Sequence, residues 1–380
     1  MNTSISKDGF KIIPNILFII QFGVIFVSRL PQFEGVHFLY GQALLATYSL
    51  WYIRRHTKSV ILTQYLKIYK IYAVLFILSF LIIQNCEMRE VINGVIAMPV
   101  IPLLLYFFRI SNWATLGLYA AVTGYIIAVI TTGIVPIDEV TYNSANFLPY
   151  YAMLYSYPYY VTCYYEKKDP LIFVSIITLF IALLSMGRGG IISAALIFIF
   201  QLCTKINTPG KVKWLYRIGI VCFVIFIINV GVSGEAELFL EASTAKFDAY
   251  GMDTRGRSES YVAYISTLIN PFYLLTGSPI SDIPYIRDDL EGSVHNSWLS
   301  LHSRIGIYSV WILYYVILGI KKLYKFKQYY MFSILAFLLV AGFSNADIAG
   351  VMVGGDSYLF FIVIMYLEYK NKINHNFYKK

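Results

Sequence analysis

Apolar residues run through this chain in blocks of 15 to 25, divided by polar breaks. Hydropathy sets the blocks at 14–28, 36–53, 66–83, 91–108, 113–135, 146–165, 170–185, 189–203, 214–232, 296–320, 330–344 and 350–367. A helix that crosses a bilayer needs roughly 20 mostly apolar residues. The pattern therefore predicts an all-α polytopic membrane protein with about 12 transmembrane helices. Pro99, Pro102, Gly124 and Pro158 interrupt some of the blocks. Block 146–165 is rich in tyrosine and weakly hydrophobic, which predicts a helix facing other helices more than lipid. Most breaks span about 3 to 12 residues, but one, 233–294, spans 62. Connections this long inside a compact protein are usually functional. Residues 1–380 are expected to form a single integral-membrane domain, with 233–294 as a long loop within it.

Composition excludes the main alternatives. Apolar residues make up 58% of the chain and charged residues 13%, against about 25% charged in ordinary soluble domains. One water-soluble core cannot hide that much apolar surface, so a soluble enzyme is excluded. No low-complexity tract, glycine period or heptad run points to a disordered or fibrous chain. The cysteines Cys86, Cys163, Cys203 and Cys222 form no CxxC pair and read as small apolar side chains. Lys7 and Lys11 precede the apolar run from Pro14 to Ser28, and no small-x-small cleavage site follows it. That stretch is read as an uncleaved first span.

Charge gives an orientation. With a cytoplasmic N-terminus and alternating spans, 22 of the 30 basic residues fall on the cytoplasmic side, at turns such as Arg54–Lys58, Lys167–Lys168 and Lys321–Lys327. This is the usual bias of Lys and Arg. Acids divide the other way, 4 inside and 17 outside, so the inner face carries +18 and the outer face −9. The basic balance thus reports topology, and nucleic acid is not an expected partner. Of the 8 outer basic residues, 7 are arginine. Lysine would serve topology equally well. A planar guanidinium is the better grip for phosphate or carboxylate.

Three outer constellations can carry chemistry. Ser185-Met186-Gly187-Arg188-Gly189-Gly190 joins two apolar blocks. A helix starting near Gly189 would aim its amides and positive dipole end where Arg188 stands, a fit for an anion. The same residues also suit a tight hairpin with an arginine reaching toward water. In Thr254-Arg255-Gly256-Arg257-Ser258-Glu259, two arginines precede a segment with an apolar face at helical spacing. A short amphipathic helix lying on the membrane is expected from Arg257 or Ser258, with the arginines either capping it or holding a diphosphate. The third runs from Val294 to Gly306 and contains His295, Asn296, His302 and Arg304. His302 lies two helical turns beyond His295. Arg304 enters an apolar stretch, where a charge costs roughly 2.5–3.5 kcal/mol and usually faces a polar cavity. The histidines suit proton transfer, substrate binding, or capping and packing. No HExxH, DxD or Cys/His cluster suggests a metal, and no G-x-S-x-G or P-loop is present.

Taken in order, these motifs resemble the O-antigen ligase and Wzy-type polymerase superfamily of bacterial envelope polysaccharide assembly. The resemblance rests on the turn Ser185 to Gly190, then Arg257 with Arg255 nearby at a helix start in the long loop. It continues through Asn270-Pro271-Phe272-Tyr273-Leu274-Leu275-Thr276-Gly277 and His295-Asn296-Ser297-Trp298-Leu299 with Gly306. It covers roughly residues 180–320; earlier blocks match only in being apolar. Two arginines compete for one family position, and the long loop is short for the family.

The resemblance implies a GT-C-like membrane glycosyltransferase of the bacterial inner membrane, working without metal or other cofactor. Both termini would be cytoplasmic, and short helices in the long loop would carry a periplasmic active site. The donor would be an oligosaccharide on undecaprenyl diphosphate, and a chain-length regulator protein is a possible partner alongside membrane lipid. Arg188, Arg255, Arg257 and Arg304 would bind the diphosphate. His295 would take the acceptor proton, with Glu259 or Asp253 in reserve, and Asn296, His302, Gly189 and Gly190 would support the site. Tyr142, Tyr150, Tyr151, Tyr261 and Tyr264 would either stack on sugar faces or anchor at the interface. Three activities follow: the polymerase as first expectation, then the ligase that moves finished glycan to lipid A-core, then a lipid-linked oligosaccharide flippase or other transporter.

Overall fold

The computed structural model describes residues 12–28, 30, 37–83, 91–97, 99–108, 110–133, 140, 147–185, 188–207, 257–289, 296–341 and 356–377. The block 214–232 and residues 233–256 of the long connection lie outside these. Among the described residues the chain is all α-helical, without strands. The helices are α1 Ile12–Val27, α2 His37–His56, α3 Val60–Leu78, α4 Val100–Phe107, α5 Asn112–Thr132, α6 Leu148–Glu166, α7 Phe173–Ser185 and α8 Arg188–Asn207. They continue as α9 Arg257–Thr267, α10 Pro271–Thr276, α11 Pro284–Asp289, α12 Ser297–Ile305, α13 Tyr308–Lys325, α14 Tyr329–Ala341 and α15 Asp356–Phe377.

The described apolar blocks become helices, but two of them are not uniform. Block 296–320 breaks at Gly306 into α12 and α13, because Gly306 adopts φ +56 and ends the first helix. Block 91–108 begins as a π-helical turn, Ile92–Ala97, before Pro99 and α4. Pro99 has no amide to return to the Val95 carbonyl, and the Tyr69 hydroxyl donates there instead. A second π turn, Ser79–Ile83, prolongs α3.

Twelve membrane-crossing helices were expected. Among the described residues two, Val60–Ile82 and Asn112–Thr132, are long and apolar enough to cross a membrane. The apolar helices Ile12–Val27, Phe173–Ser185 and Gly190–Lys205 are shorter. At 13 residues, α7 reaches about 20 Å, less than a typical hydrocarbon core of about 30 Å. Helices α2, α13 and α15 are longer, but each ends in charged residues.

The tyrosine-rich helix α6 is the centre of the bundle, as its weak hydrophobicity predicts. Every residue from Leu148 to Cys163 is buried. Its hydroxyls reach out to its neighbours. Tyr155 donates to the Phe22 carbonyl on α1 at 2.6 Å, Tyr157 to Ser357 Oγ on α15 at 3.1 Å, and Tyr160 to Gln201 Oε1 on α8 at 2.8 Å. Tyr159 accepts from the Leu171 amide at 2.9 Å. A buried hydroxyl is tolerated where it finds such a partner. The first half of α15, from Ser357 to Met365, is equally enclosed.

The helices run up and down between two ends. At one end the Glu166 carboxylate accepts from the Asn112 amide, the Ser111 amide donates to Asn15, and Asn371 donates to Gln64. Lys205 at the close of α8 lies over the Tyr330 ring at the start of α14. The opposite end carries the start of α13 and, seated on it, the cluster α9 to α12: the Ile307 amide donates to the Leu275 carbonyl at 3.2 Å. The 18 residues of α13 separate the two ends by about 27 Å. Along the flanks, large apolar side chains face outward in helical register. Examples are Ile16, Ile19 and Ile20 on α1, Ile192, Leu196 and Ile199 on α8, and Val310, Trp311, Tyr314 and Ile317 on α13.

Candidate functional site

The cluster α9 to α12 forms a small cap with its own core of Tyr264, Ile283 and Ile286. Its local sequence explains each turn. Asn270 caps α10, its Oδ1 accepting from the Phe272 amide at 3.0 Å, and Pro271 starts that helix without needing an amide partner. Asn296 caps α12, its Oδ1 accepting from the Trp298 and Leu299 amides at 2.9 and 3.1 Å.

Two glycines then lock α10 against α12. Gly277 has φ +92, and a Cβ there would stand 2.6 Å from the His302 carbonyl oxygen and overlap that of Ser303. At Gly306, φ is +56 and a Cβ would overlap the Leu275 carbonyl. Only glycine satisfies both the left-handed backbone and the close approach. The Asn-Pro…Gly stretch and the His-Asn-x-x-Leu…Gly stretch of the sequence are thus two halves of one joint.

His302 is the pin in that joint. Its Nε2 lies 3.1 Å from the Leu274 carbonyl, which can only accept, so Nε2 carries the hydrogen. Its Nδ1 lies 2.9 Å from the Tyr264 hydroxyl and accepts from it. Burial pushes the imidazole below its ordinary value of 6.5, opposed by the Leu274 contact, and the ring is neutral. Burial likewise raises the Tyr264 phenol, which keeps its proton. Both ring nitrogens of His302 are occupied, which fits a holding role and leaves neither for substrate. Its partners lie 38 and 28 residues away along the chain, so no local spacing announces them.

Arg304, 8% exposed, is enclosed in the same joint. Its Nη1 donates to Ser300 Oγ at 2.8 Å, one helical turn back. Its charge also bears on Tyr264, drawing that phenol down against the effect of burial. Ser300 was not singled out in the sequence, although its i, i+4 spacing to Arg304 was readable.

The other candidates divide as follows. Arg257 opens α9 and Arg188 opens α8, close to the helix starts expected from sequence; their side chains lie outside the described atoms. Arg255, Asp253 and His295 lie outside the described residues, as does Tyr142. Glu259 is exposed in the first turn of α9. Gly190 is small for a reason other than ligand approach: a Cβ there would meet Pro149 Cγ, at the start of α6, at 2.7 Å. Tyr150, Tyr151 and Tyr264, expected either to stack on sugar faces or to anchor at the interface, are instead buried within the protein. Tyr261 is partly buried in the cap core.

The outer edge of the cap is apolar. Val262, Ile265, Ile269, Phe272 and Leu275 all face outward, Ile269 at 85% exposure. Helix α9 is amphipathic as expected, with Ser260 and Tyr264 turned inward. The chain matches no family model, no curated protein and no solved structure.

Proposed function

We propose that this chain is a polysaccharide polymerase of the Wzy type, embedded in the bacterial inner membrane by about 12 spans, with its active site at the periplasmic end of the bundle. One observation carries the reading: the cap formed by α9–α12 sits on the end of the bundle where α8 begins. Arg188 and Arg257 therefore head helices at the same end, and the cap's edge and α13 each carry outward-facing apolar side chains. Helix N-termini bearing arginine attract anions. Outward-facing rows of large apolar side chains favour hydrocarbon over water. A substrate with a lipid tail and a diphosphate head needs both.

In the proposed reaction, the bond between the donor sugar's anomeric carbon and the diphosphate oxygen breaks, and one to the acceptor hydroxyl oxygen forms. Arg188 and Arg257, with Arg255, stabilise the charge gathering on the departing undecaprenyl diphosphate, while the buried Arg304 adds its field from within the joint. Such fixed charges act most strongly where water is excluded. His295 takes the acceptor proton, for which a nearly neutral imidazole is suited. His302 holds the cap in shape. The ligase is the second reading, sharing the same donor chemistry.

Gene deletion examined on a lipopolysaccharide gel tests this. Loss of a polymerase leaves core bearing one repeat unit, loss of a ligase strands polymer on its carrier, and loss of a flippase traps single units inside. Arg188→Ala and Arg257→Ala are each expected to abolish chain extension at unchanged protein level. Normal ladders from both would remove the diphosphate clamp.

A further inference from the structure

At the end of the bundle opposite the cap, about 27 Å away along α13, lies a cavity of about 550 Å³ between the α6–α7 turn and the α13–α14 turn. That volume is within the roughly 300–1,000 Å³ of small-molecule sites. Lys167, Lys168 and Lys327 line it together with Tyr164, Tyr329 and Tyr330. The proposed transferase chemistry uses none of these residues.

The charges of the cavity sort into compensated and uncompensated groups. Lys168 pairs with Glu166, and the buried Lys205 pairs with Asp169 at 3.5 Å while lying over the Tyr330 ring. Asp169, the acid on the wall, thus has Lys205 as its partner. Among the described residues no acid pairs with Lys167 or Lys327. These two stand at corresponding places, each in left-handed backbone just past a helix end, with φ 55 and φ 57. One behind α6 and one behind α13, they face the cavity from its two sides. On the wall, Tyr160 donates to Gln201 Oε1, and the buried Gln201 Nε2 keeps a donor that no described residue accepts. The cavity thus offers two cations without acid partners among the described residues, set between aromatic walls.

We propose that this cavity binds a phosphate-bearing anion, gripped by Lys167 and Lys327 and flanked by the tyrosine rings. The phosphate could belong to an anionic lipid headgroup or to a soluble phosphate compound. Basic pockets between helices at a cytoplasmic surface suit the former, and the ring-lined walls suit either. The inference does not rest on the transferase reading, and its test leaves glycan synthesis aside.

The experiment uses the full chain in detergent. Native mass spectrometry measures retention of phosphatidylglycerol against phosphatidylcholine, and thermal unfolding measures the response to pyrophosphate without lipid. Lys167→Asn and Lys327→Asn remove the charges while keeping residues that tolerate left-handed backbone. Each is expected to weaken binding about 5-fold, and the pair about 30-fold. The pair Lys167→Arg and Lys327→Arg should retain it. Selective phosphatidylglycerol retention assigns the site to a lipid headgroup; a pyrophosphate response without lipid assigns it to a soluble phosphate. Retention no greater than for phosphatidylcholine with no pyrophosphate response overturns the proposal, as does binding unchanged in the asparagine pair. If that pair loses helicity, binding by the unaltered chain must fall between about 0.05 and 0.5 M salt, and salt-independent binding is equally fatal.

Discussion

The central helix and the cap bury polar groups by opposite means. Helix α6 is long and regular, and its side chains reach outward: Tyr155, Tyr157 and Tyr160 each hook a different neighbouring helix. The cap is made of short helices, and its backbone does the joining, through Gly277, Gly306 and the Leu274–Leu275 carbonyls. In the first region a lost contact leaves one hydroxyl partner unmatched. In the second it opens the contact by which Gly306 and Ile307 meet Leu275. The side-chain hooks are graded, spread over three helices, whereas the backbone seam is concentrated at two glycines.

The sharpest way to break this contrast is Gly306→Ala, or Gly277→Ala. Left-handed strain and overlap with a carbonyl together should cost the cap about 3 kcal/mol. Hydrogen exchange should show residues 257–305 losing protection while α6 keeps its own. Loss of protection in both regions would mean that bundle and cap fold as one unit. A smaller effect is expected from Tyr160→Phe, about 2 kcal/mol, because Gln201 Oε1 is then left buried without its donor. Tyr155→Phe and Tyr157→Phe should each cost about 1 kcal/mol in thermal unfolding, and a steeper loss would contradict the graded picture.

Acid provides a third test. The folded His302 has a lowered pKa, so the unfolded cap binds its proton more readily. Cap stability should be complete above about pH 6.5 and decline as pH falls toward the lowered value. Protection factors in residues 257–305, taken relative to the intrinsic amide exchange at each pH, should therefore fall in mild acid, with Tyr264 and Arg304 the neighbours that feel the new charge. His302→Gln should be less stable but flat over that window, and a persisting acid response would place its origin elsewhere. The smallest change is expected from Glu259→Gln, within about 0.5 kcal/mol; if glycan extension also survives, Glu259 is not the reserve base.

What could be read beforehand follows the same division. The helices are legible because burial in the bundle or in lipid demands long apolar runs, and the position of α6 is legible because tyrosine there is too polar for lipid. The starts at Arg188 and Arg257 follow from glycine and serine punctuation. Hydropathy averages over Gly306, so the break between α12 and α13 was hidden inside one block. The His302 pin was hidden because Tyr264 and Leu274 meet it only after folding. The contact of Gly190 with Pro149 was hidden because two sequence-distant helix starts must come together to make it.

The amide of Ile307, first in line for the helix behind it, spends its hydrogen on Leu275 of the preceding segment. Excising residues 257–305 as a portable module would strand that donor at the mouth of α13 and strip Leu275 of its mate. A graft or truncation there is best cut beyond Ile307, so that this hydrogen bond travels with the cap.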